Sequence, residues 1–166
     1  KIPENTTSIG VQAFYGATKL TSVDFSSCKK LTTINSYAFV GCGVIGSLNI
    51  PEGVTTIGYN TFNGCNKITE VYLPSTLTSI SSGSSPSFNK CTGITKITVP
   101  QYIVGTVGVK NTFISSVETI TTVRYSNDIT NIASECFYNC ISLSDISIPS
   151  TVTTIGTSAF YNCSSI

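Results

Sequence analysis

The chain has 166 residues, of which 10% are charged, and its formal net charge is +1. This balance, without clusters of lysine and arginine, argues against binding to nucleic acid or to an anionic membrane. No stretch approaches the roughly 18 consecutive apolar residues that a membrane-spanning helix needs.

One phenylalanine recurs along the whole chain at steps of 23 to 26 residues. The seven copies are Phe14, Phe39, Phe62, Phe88, Phe113, Phe137 and Phe160. This period falls in the range of roughly 20–29 residues that is typical of leucine-rich repeats. The spacing therefore predicts an internal repeat with seven units, the last of them cut short.

The neighbours of the phenylalanine recur with it. Most units carry an isoleucine five residues before it, namely Ile9, Ile34, Ile57, Ile132 and Ile155. Most also carry a cysteine three residues after it, namely Cys42, Cys65, Cys91, Cys140 and Cys163. A leucine or isoleucine then follows, and after it two apolar residues separated by one position. Because six positions coincide in most copies, chance is a poor explanation of the pattern.

Each unit contains two segments with the alternation that is typical of strands. In the segment from Ile68 to Leu73, Val71 and Leu73 are two residues apart and so point to the same side of a strand. Pro74 ends this strand because proline has no backbone N–H to donate. The run 54–57 predicts a second, shorter strand-like edge, and the piece from phenylalanine to cysteine predicts a tight loop or a single helical turn.

One unit alone cannot bury its apolar residues, so the units must stack on one another. We predict a mainly β fold, a right-handed leucine-rich-repeat solenoid of about seven repeats of ~23 residues. Its long strands form one parallel sheet on the concave side. Residues 1–166 form a single leucine-rich-repeat domain, and we expect it to be a fragment of a longer array because both ends fall inside the repeat pattern.

Two units depart from the pattern. In the fourth unit, residues 81–87 carry three extra residues before the phenylalanine. In the fifth unit, residues 107–113 are one residue longer, and Ser116 or Val117 stands at the cysteine position. Insertions in repeat proteins map to loops on one face, so we predict loops at both places.

Residues 143–163 carry the repeat most fully, as Leu143, Ile146, Ile148, Pro149, Val152, Thr153, Ile155, Gly156, Ala159, Phe160 and Cys163. This pattern resembles the BspA-like, or Treponema pallidum-type, leucine-rich repeats. The resemblance implies a surface-exposed adhesin that binds host matrix proteins or other cells. It also implies an extracellular or cell-surface location. The repeated residues themselves are core residues and specify no partner.

The seven cysteines allow three interpretations: metal ligands, disulfides or buried thiols. No C-x-x-C pair is present, and Cys136 and Cys140 are four residues apart. Stacked cysteines would have Cα atoms roughly 4.8 Å apart with parallel Cβ vectors, which disfavours disulfides. We therefore predict a column of buried free thiols that act as small apolar residues. Cys28 falls outside this column and is expected to be exposed.

The sequence offers little for catalysis or for a cofactor. The chain has no histidine, which removes the commonest general base. Gly41, Gly43 and Gly46 lack the following lysine and serine or threonine of a phosphate-binding loop, and are better explained as turn residues. We expect no enzymatic activity, no catalytic residue, no metal and no cofactor.

The candidate partner-binding surface is the outward side of the predicted concave sheet. Its positions flank the buried strand residues, and they mix charged, amide and aromatic side chains. The predicted binding residues are Asp24, Asn49, Glu70, Tyr72, Lys96, Thr98, Thr122, Arg124 and Asp145. Tyr72 and Arg124 are of residue types that are enriched in interface hot spots. The alternative is that these are ordinary solvated strand residues.

Two functions remain open from the sequence. The first is a cell-surface binding or adhesion module whose partner is a protein of a host or neighbouring cell, such as an extracellular-matrix component. The second is a structural unit that assembles head to tail into a filament or surface layer. Apolar residues without a polar cap at both ends, such as Ile2 and Ile166, motivate this end-to-end self-association.

Overall fold

A computed structural model describes every residue from Lys1 to Ile166. The chain winds through stacked turns, and most turns contribute a short strand to one or both of two kinds of parallel sheet. In chain order the elements are β1 (Ser8–Ile9), β2 (Thr33–Ile34), β3 (Gly46–Asn49), β4 (Thr56–Ile57), β5 (Ile68–Tyr72), β6 (Ser79–Ile80), β7 (Lys96–Val99), a π-helix (Ile103–Val107), α1 (Val109–Thr112), β8 (Thr122–Tyr125), β9 (Asn131–Ile132) and β10 (Thr154–Ile155).

Strands β3, β5, β7 and β8 form the long-strand sheet, in that order and all parallel. Its register stacks equivalent apolar residues, with Leu48 beside Val71, Val71 beside Ile97, and Ile97 beside Val123. Strands β1, β2, β4 and β6 form the short-strand sheet, and β9 pairs with β10 separately. Parallel neighbours joined by one full turn of chain are the defining feature of a solenoid, so the predicted architecture is confirmed.

The phenylalanines stack along the interior, as the repeat predicts. Successive rings from Phe14 to Phe113 have centroids 5.0 to 5.4 Å apart, and those of Phe137 and Phe160 lie 5.0 Å apart. Burial of each full phenylalanine side chain stabilises the fold by about 1.5–3 kcal/mol relative to exposure. The continuous stack is interrupted between Phe113 and Phe137, beside the helical segment of the fifth unit.

The predicted column of buried thiols is confirmed for Cys42, Cys65, Cys91 and Cys140, whereas Cys163 is half-buried. The prediction that Cys28 is exposed is wrong, because its side chain is 1% exposed. The chain between the buried residues Phe25 and Leu31 is two residues longer than the matching segment 50–54. This longer segment carries Cys28 against the preceding turn, where its Sγ donates a hydrogen bond to Ile2 O over 3.5 Å.

The two irregular units fold differently from each other. Residues 81–87 form a loop, as predicted, and the Ser87 hydroxyl fastens it by donating to Gly58 O over 2.7 Å. The loop predicted at residues 107–113 is instead largely helical, because α1 follows the π-helix and together they bury Ile103, Val104 and Val109. Neither of these short helices has the length of apolar helix that crossing a bilayer requires.

Candidate binding surface

The outward side of the long-strand sheet brings most of the predicted binding residues together. Side chains alternate along a strand, so the residues on either side of each buried central residue point outward. One column consists of Ser47, Glu70, Lys96 and Thr122, and the other of Asn49, Tyr72, Thr98 and Arg124. We call these eight residues and Asp145 the sheet face.

Asp145 joins the sheet face through an isolated parallel bridge to Thr122. The strand predicted around Ile146 and Ile148 does not form, and Ile148 is 44% exposed. The sheet therefore ends at the single bridge, and Asp145 marks its last position.

Asp24 lies outside the sheet, contrary to its predicted strand position. Residues 21–25 form no strand, although Ile45 N donates to Thr21 O over 3.0 Å. The Asp24 carboxylate accepts a hydrogen bond from Ser26 N at 2.8 Å. Hydrogen bonds from Ser26 lower the pKa of Asp24, so this carboxylate is ionised at neutral pH.

Arg124 and Asp145 form an exposed ion pair at the far end of the sheet face. Arg124 Nη2 lies 2.7 Å from Asp145 Oδ2, and Arg124 Nη1 donates to Val123 O over 2.9 Å. The hydrogen bond from Arg124 lowers the pKa of Asp145. Both side chains remain more than half exposed, so water screens the pair and it contributes little to stability. It leaves both charges accessible to a partner.

Charges of opposite sign also lie on neighbouring strands in the middle of the sheet face. Glu70 and Lys96 occupy paired register positions on β5 and β7. Ser47, one strand earlier, donates a hydrogen bond from its hydroxyl to Glu70 Oε2 over 2.9 Å. The surface is thus polar and carries both signs of charge, without the single-sign field that would attract a strongly charged polymer.

Tyr72 is held by a carboxylate that the sequence analysis did not single out, Glu52. The Tyr72 hydroxyl donates to Glu52 Oε1 over 3.0 Å, while Ser75 donates through its N–H and its hydroxyl over 3.1 and 2.9 Å. Burial raises the pKa of Glu52, but these hydrogen bonds outweigh burial and the pKa lies below its ordinary value. Burial and the neighbouring Glu52 raise the pKa of Tyr72.

An open cleft of about 530 Å³ adjoins the sheet face at the carboxyl ends of the strands. Asp24, Asn49 and Tyr72 line the cleft, together with Glu52 and Lys29. Sequence reasoning missed Glu52 and Lys29. Two features of the sequence could have indicated these residues. The step from Phe14 to Phe39 is 25 residues, two longer than the shortest step, and Glu52 directly follows a strand-ending proline.

The side chains of this surface are suited to binding through hydrogen bonds, ion pairs and an aromatic contact. No group of three histidine, cysteine, aspartate or glutamate side chains is placed to hold a metal ion. The thiols lie in the core, where burial raises the pKa of Cys65 to about 12 and keeps it protonated at neutral pH.

Comparison with solved structures shows the same fold in bacterial proteins. A leucine-rich repeat protein from Eubacterium ventriosum ATCC 27560 is 22% identical, with a TM-score of 0.68 over 99% of this chain and 42% of that one. A leucine-rich repeat protein from Bacteroides ovatus ATCC 8483 is 20% identical, with a TM-score of 0.61 over 99% of this chain and 52% of that one. The chain thus spans about half the length of these structures.

A third solved structure is a leucine-rich cell surface protein from Faecalibacterium prausnitzii A2-165. It is 22% identical, with a TM-score of 0.49 over 99% of this chain and 58% of that one. No curated protein sequence matches the chain significantly.

Comparison with protein families gives a match along the entire chain. The model of the BspA type leucine-rich repeat region, with six copies, matches residues 1–110 and 84–166. This agrees with the repeat positions that the structure places in the core, including the stacked phenylalanines and the buried thiols. The chain therefore belongs to the BspA-type leucine-rich repeat family.

Proposed function

We propose that the chain is a non-enzymatic binding module of an extracellular or cell-surface protein, and that the sheet face is its partner-binding surface. The partner is a protein of a host or neighbouring cell, such as an extracellular-matrix component. The observation that carries the proposal is the contrast along the long-strand sheet. Its inward residues are alike from turn to turn, whereas the residues of the sheet face change in charge, size and hydrogen-bonding type.

This contrast favours recognition because the inward residues already account for the fold. The sheet face adds an aromatic ring at Tyr72 and a guanidinium at Arg124, two groups that are enriched in binding hot spots. Arg124 is 54% exposed in its side chain although it pairs with Asp145. A rigid sheet presents such groups with little loss of conformational entropy on binding. The surface location rests on the resemblance to BspA-like surface proteins.

Surface plasmon resonance against collagen, laminin and fibronectin tests the proposal. We expect Tyr72→Ala and Arg124→Ala each to weaken binding to the recognised protein about tenfold or more, as hot-spot truncations do. Tyr59→Ala is the matched aromatic control, since Tyr59 is 60% exposed and lies beside the short-strand sheet. Lys110→Ala is the cationic control, since Lys110 pairs with Glu135 away from the sheet face. Unchanged binding in both sheet-face variants would contradict the assignment.

Head-to-tail self-association is the second candidate function. The last turn carries an open apolar hollow of about 450 Å³, lined by Ile146, Ile148, Ile155, Phe160, Cys163 and Ile166. A second copy stacked on this face would bury these side chains, and a contact between unlike ends extends into a filament. Sedimentation velocity over a concentration series tests it: growing oligomers support assembly, and a monomer throughout argues against it.

A further inference from the structure

The cleft beside Asp24 lies next to a turn that is locally longer than its neighbour. The segment between Phe25 and Leu31 is two residues longer than its counterpart 50–54, and residues 21–25 form no strand against β3. Asn49 and Tyr72, at the ends of β3 and β5, line the cleft on this side. The cleft has about 530 Å³, within the roughly 300–1,000 Å³ of small-molecule sites. From its lining we propose that it binds a neutral saccharide.

The lining provides an apolar side for such a ligand. Val23, Pro51 and Tyr72 are partly exposed side chains of the lining, and the buried Phe25 and Ile50 also border the cleft. A pyranose ring has C–H groups on its faces that pack against aromatic and aliphatic side chains. Tyr72 is well suited to this contact because Glu52 accepts its hydroxyl hydrogen bond, which fixes the ring before a ligand arrives.

The lining also provides free hydrogen-bonding groups next to this apolar side. The exposed Asn49 side chain has no hydrogen bond to the rest of the protein, so its amide can both donate and accept. The Asp24 carboxylate accepts from Ser26 and retains further acceptor positions. Adjacent hydroxyl groups of a sugar need this combination, because each hydroxyl donates one hydrogen bond and accepts others.

The charges of the cleft favour a neutral ligand over a charged one. Glu52 already accepts three hydrogen bonds, from Tyr72 and twice from Ser75. The remaining charged groups in the lining are of opposite sign, the carboxylate of Asp24 and the ammonium group of Lys29. A phosphate would face the two carboxylates, and an arginine side chain would face the ammonium group of Lys29. A neutral saccharide would be repelled neither by the carboxylates nor by the ammonium group.

Chemical-shift perturbation in ¹⁵N NMR spectra tests the proposal with defined probes. The neutral probes are methyl β-glucoside, methyl β-galactoside, methyl α-mannoside, N-acetylglucosamine and their β-linked disaccharides. The charged probes are Nα-acetyl-arginine amide and inorganic phosphate. We expect at least one neutral probe to shift the Asn49 and Tyr72 signals in a saturable way. Binding of a charged probe alone, or of no probe up to the solubility limit, would overturn the proposal.

Variants distinguish the cleft from the part of the sheet face that lies outside it. We expect Asp24→Ala and Asn49→Ala to weaken binding of the recognised saccharide about tenfold, with spectra that otherwise keep the wild-type dispersion. The matched controls Thr98→Ala and Arg124→Ala, on the sheet face but outside the cleft, should leave saccharide binding unchanged. If the controls weaken it equally, the saccharide binds elsewhere and the proposal fails. Because Arg124→Ala reports on the protein partner and Asp24→Ala on the saccharide, either proposal can fail without the other.

Discussion

The thiol of Cys65 donates a hydrogen bond to the backbone carbonyl of Phe39 in the preceding turn, across 3.2 Å. The same bond joins Cys42 to Phe14, Cys91 to Phe62 and Cys163 to Phe137, at 3.2, 3.0 and 3.0 Å. The Phe39 carbonyl also accepts from Cys42 N, so the thiol adds a second, weaker donor. The repeated cysteine thus combines the packing of a small apolar side chain with a link between successive turns.

Replacement of Cys65 by alanine removes both contributions at a buried position. We expect Cys65→Ala to lower the free energy of unfolding by about 1–3 kcal/mol, through the lost packing and the lost hydrogen bond. Urea denaturation measures the change. Cys163→Ala is the matched control, because Cys163 makes the same bond at a half-buried position and should lose less. Equal losses at both positions would show that burial does not set the cost.

A close approach of the backbone between turns requires glycine at position 58. A Cβ atom there would lie 2.5 Å from Ser36 N and 2.9 Å from the Asn35 carbonyl carbon, both backbone atoms of the preceding turn. Gly10 occupies the equivalent position in the first turn, where a Cβ would meet nothing within 4 Å.

We therefore expect Gly58→Ala to lower the free energy of unfolding by about 1–3 kcal/mol through the forced backbone shift. Gly10→Ala should be neutral or stabilise by up to about 1 kcal/mol, because it restricts the unfolded chain without a clash. Denaturation curves for the two variants provide the comparison. A similar loss in both would indicate that chain conformation, and not the neighbouring turn, dictates glycine.

The sequence was sufficient to predict the regular core. The phenylalanine, the isoleucine and the alternating strand residues recur in most turns, and the structure buries Phe62, Ile68 and Leu73 together as the repeat predicts. Such positions are predictable because each copy confirms the others. The sequence also indicated which strand residues face outward, since alternation fixes their side once the buried residues are known.

The features missed from the sequence occur in single turns, where no other copy supports the assignment. The two extra residues before Leu31 lengthen the step from Phe14 to Phe39, but this length does not specify how the longer turn packs on its neighbours, and so the burial of Cys28 was not predicted. The apolar pair Ile103 and Val104 fits a strand or a helix equally well, because a short apolar run has no distinctive period. The Glu52 carboxylate positions the Tyr72 hydroxyl, and these two residues are 20 positions apart in the sequence.

The hydrogen bond from Tyr72 should be measurable in the acidity of Glu52. Because this bond favours the ionised carboxylate, Tyr72→Phe is expected to raise the pKa of Glu52 towards its ordinary value. A carboxyl whose folded pKa is depressed stabilises the fold above its unfolded pKa, and this stability is lost as the pH falls through the folded pKa. The variant should therefore be less stable than wild type at neutral pH, and the difference should shrink once the carboxyl is protonated.

Carboxyl-detected NMR titration gives the pKa of Glu52, and denaturation at neutral and acidic pH gives the stability difference. Tyr59→Phe removes the hydroxyl of an exposed tyrosine for which no hydrogen bond to a carboxylate is found, and it should leave the pKa of Glu52 unchanged. A Glu52 pKa that stays the same in Tyr72→Phe would mean that the hydrogen bonds from Ser75 and Thr76 keep the carboxylate ionised without Tyr72.

The Tyr72 hydroxyl donates a hydrogen bond to Glu52, whereas the hydroxyl of Tyr125 is buried and has no hydrogen-bond partner in the protein. Burial, with a smaller contribution from Cys136, raises the pKa of this tyrosine to about 12. Equivalent strand positions in other turns hold the aliphatic residues Leu73 and Val99, which need no partner. A buried hydroxyl without a hydrogen bond costs about 1–3 kcal/mol, so Tyr125→Phe is expected to raise the free energy of unfolding by about 1 kcal/mol or more.

Urea denaturation of Tyr125→Phe, with Tyr72→Phe as the matched control, tests this assignment. The two variants lose the same atom, but the Tyr72 hydroxyl donates to Glu52 and its removal should destabilise the protein. Changes of opposite sign would show that the hydrogen-bonding environment, and not the loss of the oxygen itself, determines the effect. A loss of stability in Tyr125→Phe would instead require a bound water molecule that satisfies the hydroxyl in solution.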